Sequence, residues 1–551
     1  MKKLNTELKY LILIGIALIL ALIPTYAHHG HLLIDCGREA YYPTQVLLGK
    51  VLYKDILNIY GPFSYMFNAL LFKVFGISLN VLYLAGCACA FLISAMIYLI
   101  AKRFLSGFVS FSIAILTIAM GVLNIHLSNF IFPYSYAMLY GLVAFLISIW
   151  FLLKYQSETK IVNLYLSGFF AGLCVSSKYE FILYLIVILY AMIRVKPLKI
   201  KEYYYAIFSI LFVPIFCFGL LFLEGLTINN LIEMASIINK MAHSQTLNYF
   251  YHRQGVYLSK AFLQIQIKSF LTMLFPLIGF YWGFKSKNKI LSILSIAVSV
   301  FFIIKLTTPI SYSLLPLFLI FLTVLNFKNM KNNLPLQLLV LSAILFSTKV
   351  FWGLITENYG AFFISYLLIA FLALISDIFK DKNINYTAIA LYILLVACVT
   401  GYHNLSIKNN SYLIQTPRGK IYTTLQMGSA SGELMDYIIK KTRKTDEVVI
   451  LPEGAVINFF TQRPTDNFYT SLIPLYVEVF GDKKLIEHFS KTKPKYIIFS
   501  NYDNYEYHFS YICKDYAVSF CNYVAQNPHA QTRPRERMTI NHIRRQTEFH
   551  A

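Results

Sequence analysis

Long apolar runs broken by short polar turns recur from residue 10 to residue 402 and then stop. A helix needs about 20 apolar residues to cross roughly 30 Å of hydrocarbon. The pattern supplies about 13 such segments: 10–26, 78–101, 107–124, 135–153, 163–177, 181–193, 205–224, 266–284, 290–306, 312–327, 334–354, 361–379 and 386–402. The two short runs flanking Ser176-Ser177-Lys178-Tyr179-Glu180 read either as one kinked helix or as a hairpin. The first run lacks a small-x-small cleavage pattern after it, so it reads as a retained anchor rather than a signal peptide. Beyond Tyr402 the pattern changes. Ser431 to Lys441 has helical spacing, Glu447 to Leu451 reads as a strand, Lys483 to Phe489 as a helix and Tyr496 to Ser500 as a second strand. Strand and helix alternation predicts a small parallel sheet.

Composition agrees with the pattern: 58% of the 551 residues are hydrophobic, 17% aromatic and only 13% charged. The fold class expected is therefore a polytopic α-helical membrane protein with a small C-terminal α/β domain. Its parts are a membrane domain over 1–402 that includes a long loop at 27–77, an α/β domain over 403–527, and an atypical tail over 528–551. That tail carries Arg533, Arg535, Arg537, Arg544 and Arg545 without any Lys, and no function is placed there.

The formal net charge of +22 looks at first like a nucleic-acid footprint. Its distribution says otherwise, because the hairpin reading makes alternate loops collect the bases: Lys2/Lys3, Lys102/Arg103, Lys154/Lys160, Arg194 to Lys201, Lys285 to Lys289, Lys328/Lys331 and Lys380/Lys382. Basic loops stay on the cytoplasmic side. The charge is thus assigned to topology and to contact with anionic membrane lipids, and no nucleic-acid partner is expected. The same rule puts the N-terminus in the cytoplasm of a cell whose cytoplasmic (inner) membrane holds the chain. The 27–77 loop, Lys178/Glu180, the 225–262 loop and the C-terminal domain then lie outside. An outer compartment permits a disulfide between Cys513 and Cys521, with two free thiols as the alternative.

Candidate chemistry concentrates in the loop after the first span, where Asp35, Arg38 and Glu39 stand beside Tyr41 and Tyr60. Asp35 either acts as a general base, made more basic by partial desolvation, or caps the helix that follows. Arg38 either pairs with Asp35 or grips a phosphate through two parallel hydrogen bonds. Lys178 either meets an anionic lipid phosphate or pairs with Glu180, and Arg253 offers a further phosphate contact. His28 and His31 are weak metal candidates. No cofactor is required by these residues, and a divalent metal is left open.

Asp35-Cys-Gly-Arg-Glu-Ala-Tyr41, a Leu-Leu-Gly-x-x-Leu-Tyr-x-Asp run and Tyr60-Gly-Pro-Phe-Ser-Tyr65 together resemble the first outer loop of GT-C superfamily membrane glycosyltransferases. The resemblance extends through Phe132-Pro133-Tyr134, Gly172 to Glu180, Thr416 to Lys420 and Leu451-Pro452-Glu453-Gly454. It points to bacterial relatives of the protein mannosyltransferase and lipid A aminoarabinose transferase families. In those families an acidic pair opens the loop; here Asp35 holds the first place and Cys36 the second. The resemblance implies transfer of a sugar from a polyprenyl-phosphate donor to a hydroxyl of a glycan, lipid or protein acceptor. Asp35 would be the base, with Arg38, Glu39, Tyr41, Tyr60, Lys178, Glu180 and Arg253 around the substrates. Such a donor already carries its leaving group, so one base and a few cations suffice. The competing reading is a transporter or lipid-linked sugar flippase. It calls for midplane charges and repeated halves, and the sequence displays neither.

Overall fold

The computed structural model describes residues 6–33, 36–126, 128–253, 260–306, 312, 314–352, 359–379, 385–405 and 407–527. Asp35 and the 528–551 tail therefore lie outside the described residues. Each of the expected apolar segments is helical, from Thr6–Thr25, Leu79–Ala101 and Gly107–Gly121 to Ile364–Ile378 and Tyr386–Asn404. Among the described residues six helices are long and apolar enough to cross a membrane, and shorter apolar helices accompany them. The chain is a multi-pass membrane protein. Near Lys178 it is not one continuous helix: Ile161–Ser177 ends there, Lys178 is extended at φ −147° and ψ 124°, and Leu185–Arg194 follows a short 3-10 turn.

The chain divides into two compact units. The first holds residues 1–29, 83–218 and 254–406 and most of the apolar helices. Its core is aromatic: Phe145 meets Tyr184, Phe346 and Tyr366 edge-on with centroids 5.0, 4.7 and 4.9 Å apart. Lipid offers no hydrophobic drive between helices, so close packing and buried polar bonds hold them. Lys260–Lys285 and Lys289–Leu306 illustrate this, since Ser292 and Ser295 donate hydroxyl hydrogen bonds to the carbonyls of Gly283 and Gly279 at 2.7 and 2.6 Å. Helix Ile200–Leu223 leaves Ile207, Phe208, Leu211 and Ile215 exposed, the surface a lipid-facing helix presents.

The second unit gathers residues 30–82, 219–253 and 407–551. Stretches between the expected spans are helical here: the amphipathic Cys36–Leu47, Ile228–Ala242 and Gln245–Arg253, and the apolar Phe63–Phe75. The C-terminal part contains an antiparallel hairpin of β1, Tyr412–Thr416, and β2, Gly419–Thr423. It also contains a parallel pair of β3, Val448–Leu451, and β4, Tyr496–Phe499, in the register Val448↔Tyr496. Every side chain of β3 is buried, as expected for a parallel strand covered on both faces. Helix Leu425–Lys441 starts at Thr424, whose hydroxyl accepts the Met427 N–H, and helix Asp482–Thr492 precedes β4. Arg463 ties this region together: buried, it donates to carbonyls of Thr461, Ile439 and Thr442 and to the Thr442 hydroxyl. Cys513 and Cys521 form a disulfide.

Candidate active site

Helix Cys36–Leu47 begins directly after Asp35 and carries Arg38, Glu39, Tyr41 and Tyr42 in its first two turns. It packs against Phe63–Phe75 and, closely, against Ala455–Thr461. Gly37 makes the second approach possible, because a Cβ there would stand 2.6 Å from the Val456 nitrogen. The fold thereby buries a set of charged groups that would otherwise be hydrated.

Glu39 has no exposed surface and accepts a hydrogen bond from the Tyr65 hydroxyl at 3.2 Å. Arg38 donates to the Tyr476 hydroxyl at 3.4 Å and lies 3.7 Å from the Glu453 carboxylate, which also accepts from Ser471 at 2.9 Å. Losing either charge of such a buried pair strands the other at low dielectric. Tyr41 exchanges two hydrogen bonds with the main chain of Thr465, accepting its N–H at 2.9 Å and donating to its carbonyl at 3.4 Å. Burial pushes the Tyr41 phenol well up and the Tyr42 phenol up to about 12, the nearby Arg38 charge opposing the latter shift. Both phenols therefore stay protonated at neutral pH and serve as donors and walls, not as bases. Tyr60 is anchored through its backbone: its carbonyl accepts from Tyr53 at 2.6 Å and Asn58 at 3.0 Å.

So the second unit brings Arg38, Glu39 and Tyr41 together on one helix and adds Glu453, Tyr476 and Ser471, which sequence reasoning did not single out as site residues. The signal for Glu453 was its Leu-Pro-Glu-Gly setting; Tyr476 had none. Arg253 ends helix Gln245–Arg253 with its guanidinium over the Tyr505 ring, 4.2 Å from the centroid. In the first unit Lys178 is only 3% exposed; its ammonium lies 3.1 Å from the centroid of Tyr359 and 3.8 Å from the Glu180 carboxylate.

His31 accepts the Leu33 N–H through Nδ1 at 3.2 Å, and burial lowers its pKa to about 4. His28 is likewise lowered by burial. Among the described residues no group of three or more His, Cys, Asp or Glu side chains is placed to hold a metal ion.

Residues 60–218 match the dolichyl-phosphate-mannose-protein mannosyltransferase family. The resemblance to GT-C glycosyltransferases drawn from the sequence is borne out over that segment, which contains Tyr60, Lys178 and Glu180. No curated protein sequence matches the chain. Among solved structures, the oligosaccharyltransferase of Archaeoglobus fulgidus in its apo form is 12% identical, with 85% of this chain and 65% of that one covered at a TM-score of 0.47. The archaeal oligosaccharyltransferase AglB from Archaeoglobus fulgidus, in complex with an inhibitory peptide and a dolichol-phosphate, is 11% identical, covering 84% of this chain and 64% of that one at 0.46. ArnT of Cupriavidus metallidurans bound to undecaprenyl phosphate is 13% identical, covering 83% and 85% at 0.40. The chain spans less than two thirds of the length of the archaeal oligosaccharyltransferase.

Proposed function

We propose that the chain is a membrane glycosyltransferase that moves a sugar from a polyprenyl-phosphate donor to an acceptor hydroxyl at the outer face of the cytoplasmic membrane. The observation that carries this reading is the buried constellation of Arg38, Glu39 and Glu453 at the start of helix Cys36–Leu47, immediately after Asp35 in the chain. Charges are costly to bury and are kept where they bind or react. The match over residues 60–218 supports a glycosyl-transfer reaction. Asp35 takes the proton of the acceptor hydroxyl as the new C–O bond forms at the anomeric carbon. The bond from that carbon to the phosphate oxygen breaks, and the polyprenyl phosphate leaves with the electron pair. Attack opposite the leaving group inverts the anomeric centre.

Arg38 orients the reacting end of the loop and places a positive charge toward the departing phosphate. Glu39, Tyr41 and Tyr60 hold the walls of the loop around the sugar. Lys178, in the first unit, is proposed to meet an anionic lipid phosphate, with Glu180 setting its position. Arg253 is the weaker of the phosphate contacts, because the Tyr505 ring already occupies its face. The Cys513–Cys521 disulfide and the loop-wise segregation of lysines support an extracytoplasmic second unit.

The test is transfer by the purified protein in nanodiscs with a panel of radiolabelled polyprenyl-phosphate monosaccharides. Polyprenyl phosphate release is expected, and Asp35→Asn should lower it by roughly 100-fold or more, the range of a lost general base. Retention of most activity in Asp35→Asn would overturn the assignment of the base. Absence of donor consumption with every carrier, crude membrane acceptors included, would overturn the reaction.

A further inference from the structure

Away from the buried charges of helix Cys36–Leu47, the second unit contains a cavity of about 410 Å³ lined mostly by polar atoms. It is framed by Lys50 and Lys54 from the first loop, Glu233 from helix Ile228–Ala242, and Glu447, the 465–469 segment, Lys484 and His488 from the C-terminal part. Such a volume suits a ligand of a few rings. The lining says which kind. Three lysines are offset by the carboxylates of Asp55, Glu233, Glu447 and Asp466, so a polyanion and a polycation each meet repulsion.

Most of these charges are already spoken for within the wall. Lys484 pairs with Glu233 at 3.3 Å, and Asp55 accepts the Val51 N–H at 2.9 Å. Asp466 pairs with His488 while its other oxygen takes the N–H groups of Phe468 and Tyr469 at 2.9 and 2.7 Å. Tyr469 in turn packs on the His488 ring with centroids 4.5 Å apart. The result is a rigid wall that presents fixed donors and acceptors side by side with aromatic carbon. On the same wall Asn467 is half-buried, its carboxamide oxygen turned inward and the side chain lining the cavity. Burial, reinforced by Asp466, raises the Glu447 carboxyl above its ordinary value.

We propose that this cavity binds a neutral, hydroxyl-rich saccharide, and that it is the acceptor subsite of the transferase. The first half stands on the cavity alone; the second rests on the function proposed above. Each sugar hydroxyl is donor and acceptor at once and satisfies neighbouring Lys and carboxylate groups together, while a ring C–H face lies on the half-buried Phe468. The 465–471 segment joins the cavity to the candidate active site. Thr465 is held by Tyr41, and Ser471 by Glu453, which faces Arg38. A saccharide seated on one side of this segment is thus coupled mechanically to the helix that follows Asp35.

The experiment is ligand-observed NMR on the full chain in nanodiscs, with a panel of neutral tri- and tetrasaccharides, the matching uronic acids and an acidic peptide. At least one neutral saccharide is expected to bind. Its affinity should fall at least tenfold in both Glu447→Gln and Asn467→Ala, with thermal midpoints showing that both variants fold. Binding by no neutral member, preference for the uronate or the peptide, or affinity unchanged in both variants overturns the proposal. Donor consumption, measured in parallel, separates the two readings. Intact turnover without saccharide binding removes the subsite alone. Saccharide binding without any donor consumption leaves the cavity assignment and removes the transferase. If both hold, the acceptor role requires the two variants to raise KM for the acceptor tenfold with kcat unchanged; a lowered kcat at constant KM refutes it.

Discussion

Replacing Tyr41 with Phe removes one oxygen atom from a site that is otherwise unchanged. The ring, 2% exposed, still fills its place between helix Cys36–Leu47 and the C-terminal part, so no cavity forms. What disappears is the pair of hydrogen bonds to Thr465. The bond donated to the carbonyl is long, 3.4 Å, and contributes little. The one accepted from the N–H, at 2.9 Å, is well formed, and Thr465 is itself only 4% exposed. The substitution therefore strands a buried amide, at about 1–3 kcal/mol for an unsatisfied donor. Taking about 2 kcal/mol, the opening equilibrium of the 463–470 segment should rise roughly 30-fold. Hydrogen–deuterium exchange by mass spectrometry in nanodiscs reads this directly, as faster exchange in peptides covering Thr465 while peptides from Val448–Leu451 keep their protection. Transfer should weaken as well, since the wall next to the helix after Asp35 loosens. Exchange at Thr465 unchanged within about threefold would refute the view that this phenol fastens the two segments.

Other consequences are simpler to measure. Gly37→Ala would bring a Cβ to 2.6 Å from the Val456 nitrogen and should destabilise the protein by about 1–3 kcal/mol in chemical denaturation. Gly432→Ala is the counterpart: its Cβ would meet only the Tyr412 hydroxyl, at 3.6 Å, and helix Leu425–Lys441 should gain roughly 0.5–1 kcal/mol. Equal effects of the two substitutions would contradict the close helix contact. For Glu447 the folded-state pKa is raised by burial and by Asp466, so the native protein holds this proton more tightly than the unfolded chain. Stability attributable to it is complete below the ordinary value of 4.5 and declines as pH rises through the raised native value. Glu447→Gln should accordingly raise the thermal midpoint near pH 7 and have no such benefit near pH 4; a pH-independent change would show that charge is not the cause.

The helices of the membrane part are legible in the sequence because lipid imposes one requirement on each, a run of apolar residues of the right length. The parallel pair is legible for a related reason, since Val448–Leu451, buried on both faces, and the half-buried Tyr496–Phe499 each read as an unbroken apolar run. The helix after Asp35 is legible as the one that residue could cap, whereas Phe63–Phe75 is apolar but too short to span, and Ile228–Ala242 is short and amphipathic, so both are harder to see. The hairpin Tyr412–Thr416/Gly419–Thr423 escapes notice because five-residue strands around a Pro-Arg turn carry little periodicity. In the candidate site, Arg38, Glu39 and Tyr41 stand out as polar residues in a greasy chain. Their partners do not. Thr465 and Tyr476 are 424 and 438 positions away from the residues they meet, and local pattern carries no information at that range.

That separation bears on how the protein is made. Helix Cys36–Leu47 emerges early, yet Thr465, which binds its Tyr41, is synthesised 424 residues later. At about 5–20 residues per second the wait is on the order of 20–85 s. Throughout that interval Arg38 and Gly37 face a surface that does not yet exist. The second unit can close only when residues 453–476 arrive, so a protein truncated before Glu453 would keep its apolar helices and lack the partners of its candidate site. Quality control of this protein is therefore built into chain order: the helix after Asp35 acquires its ion pair with Glu453 only in chains that have been extended past that residue.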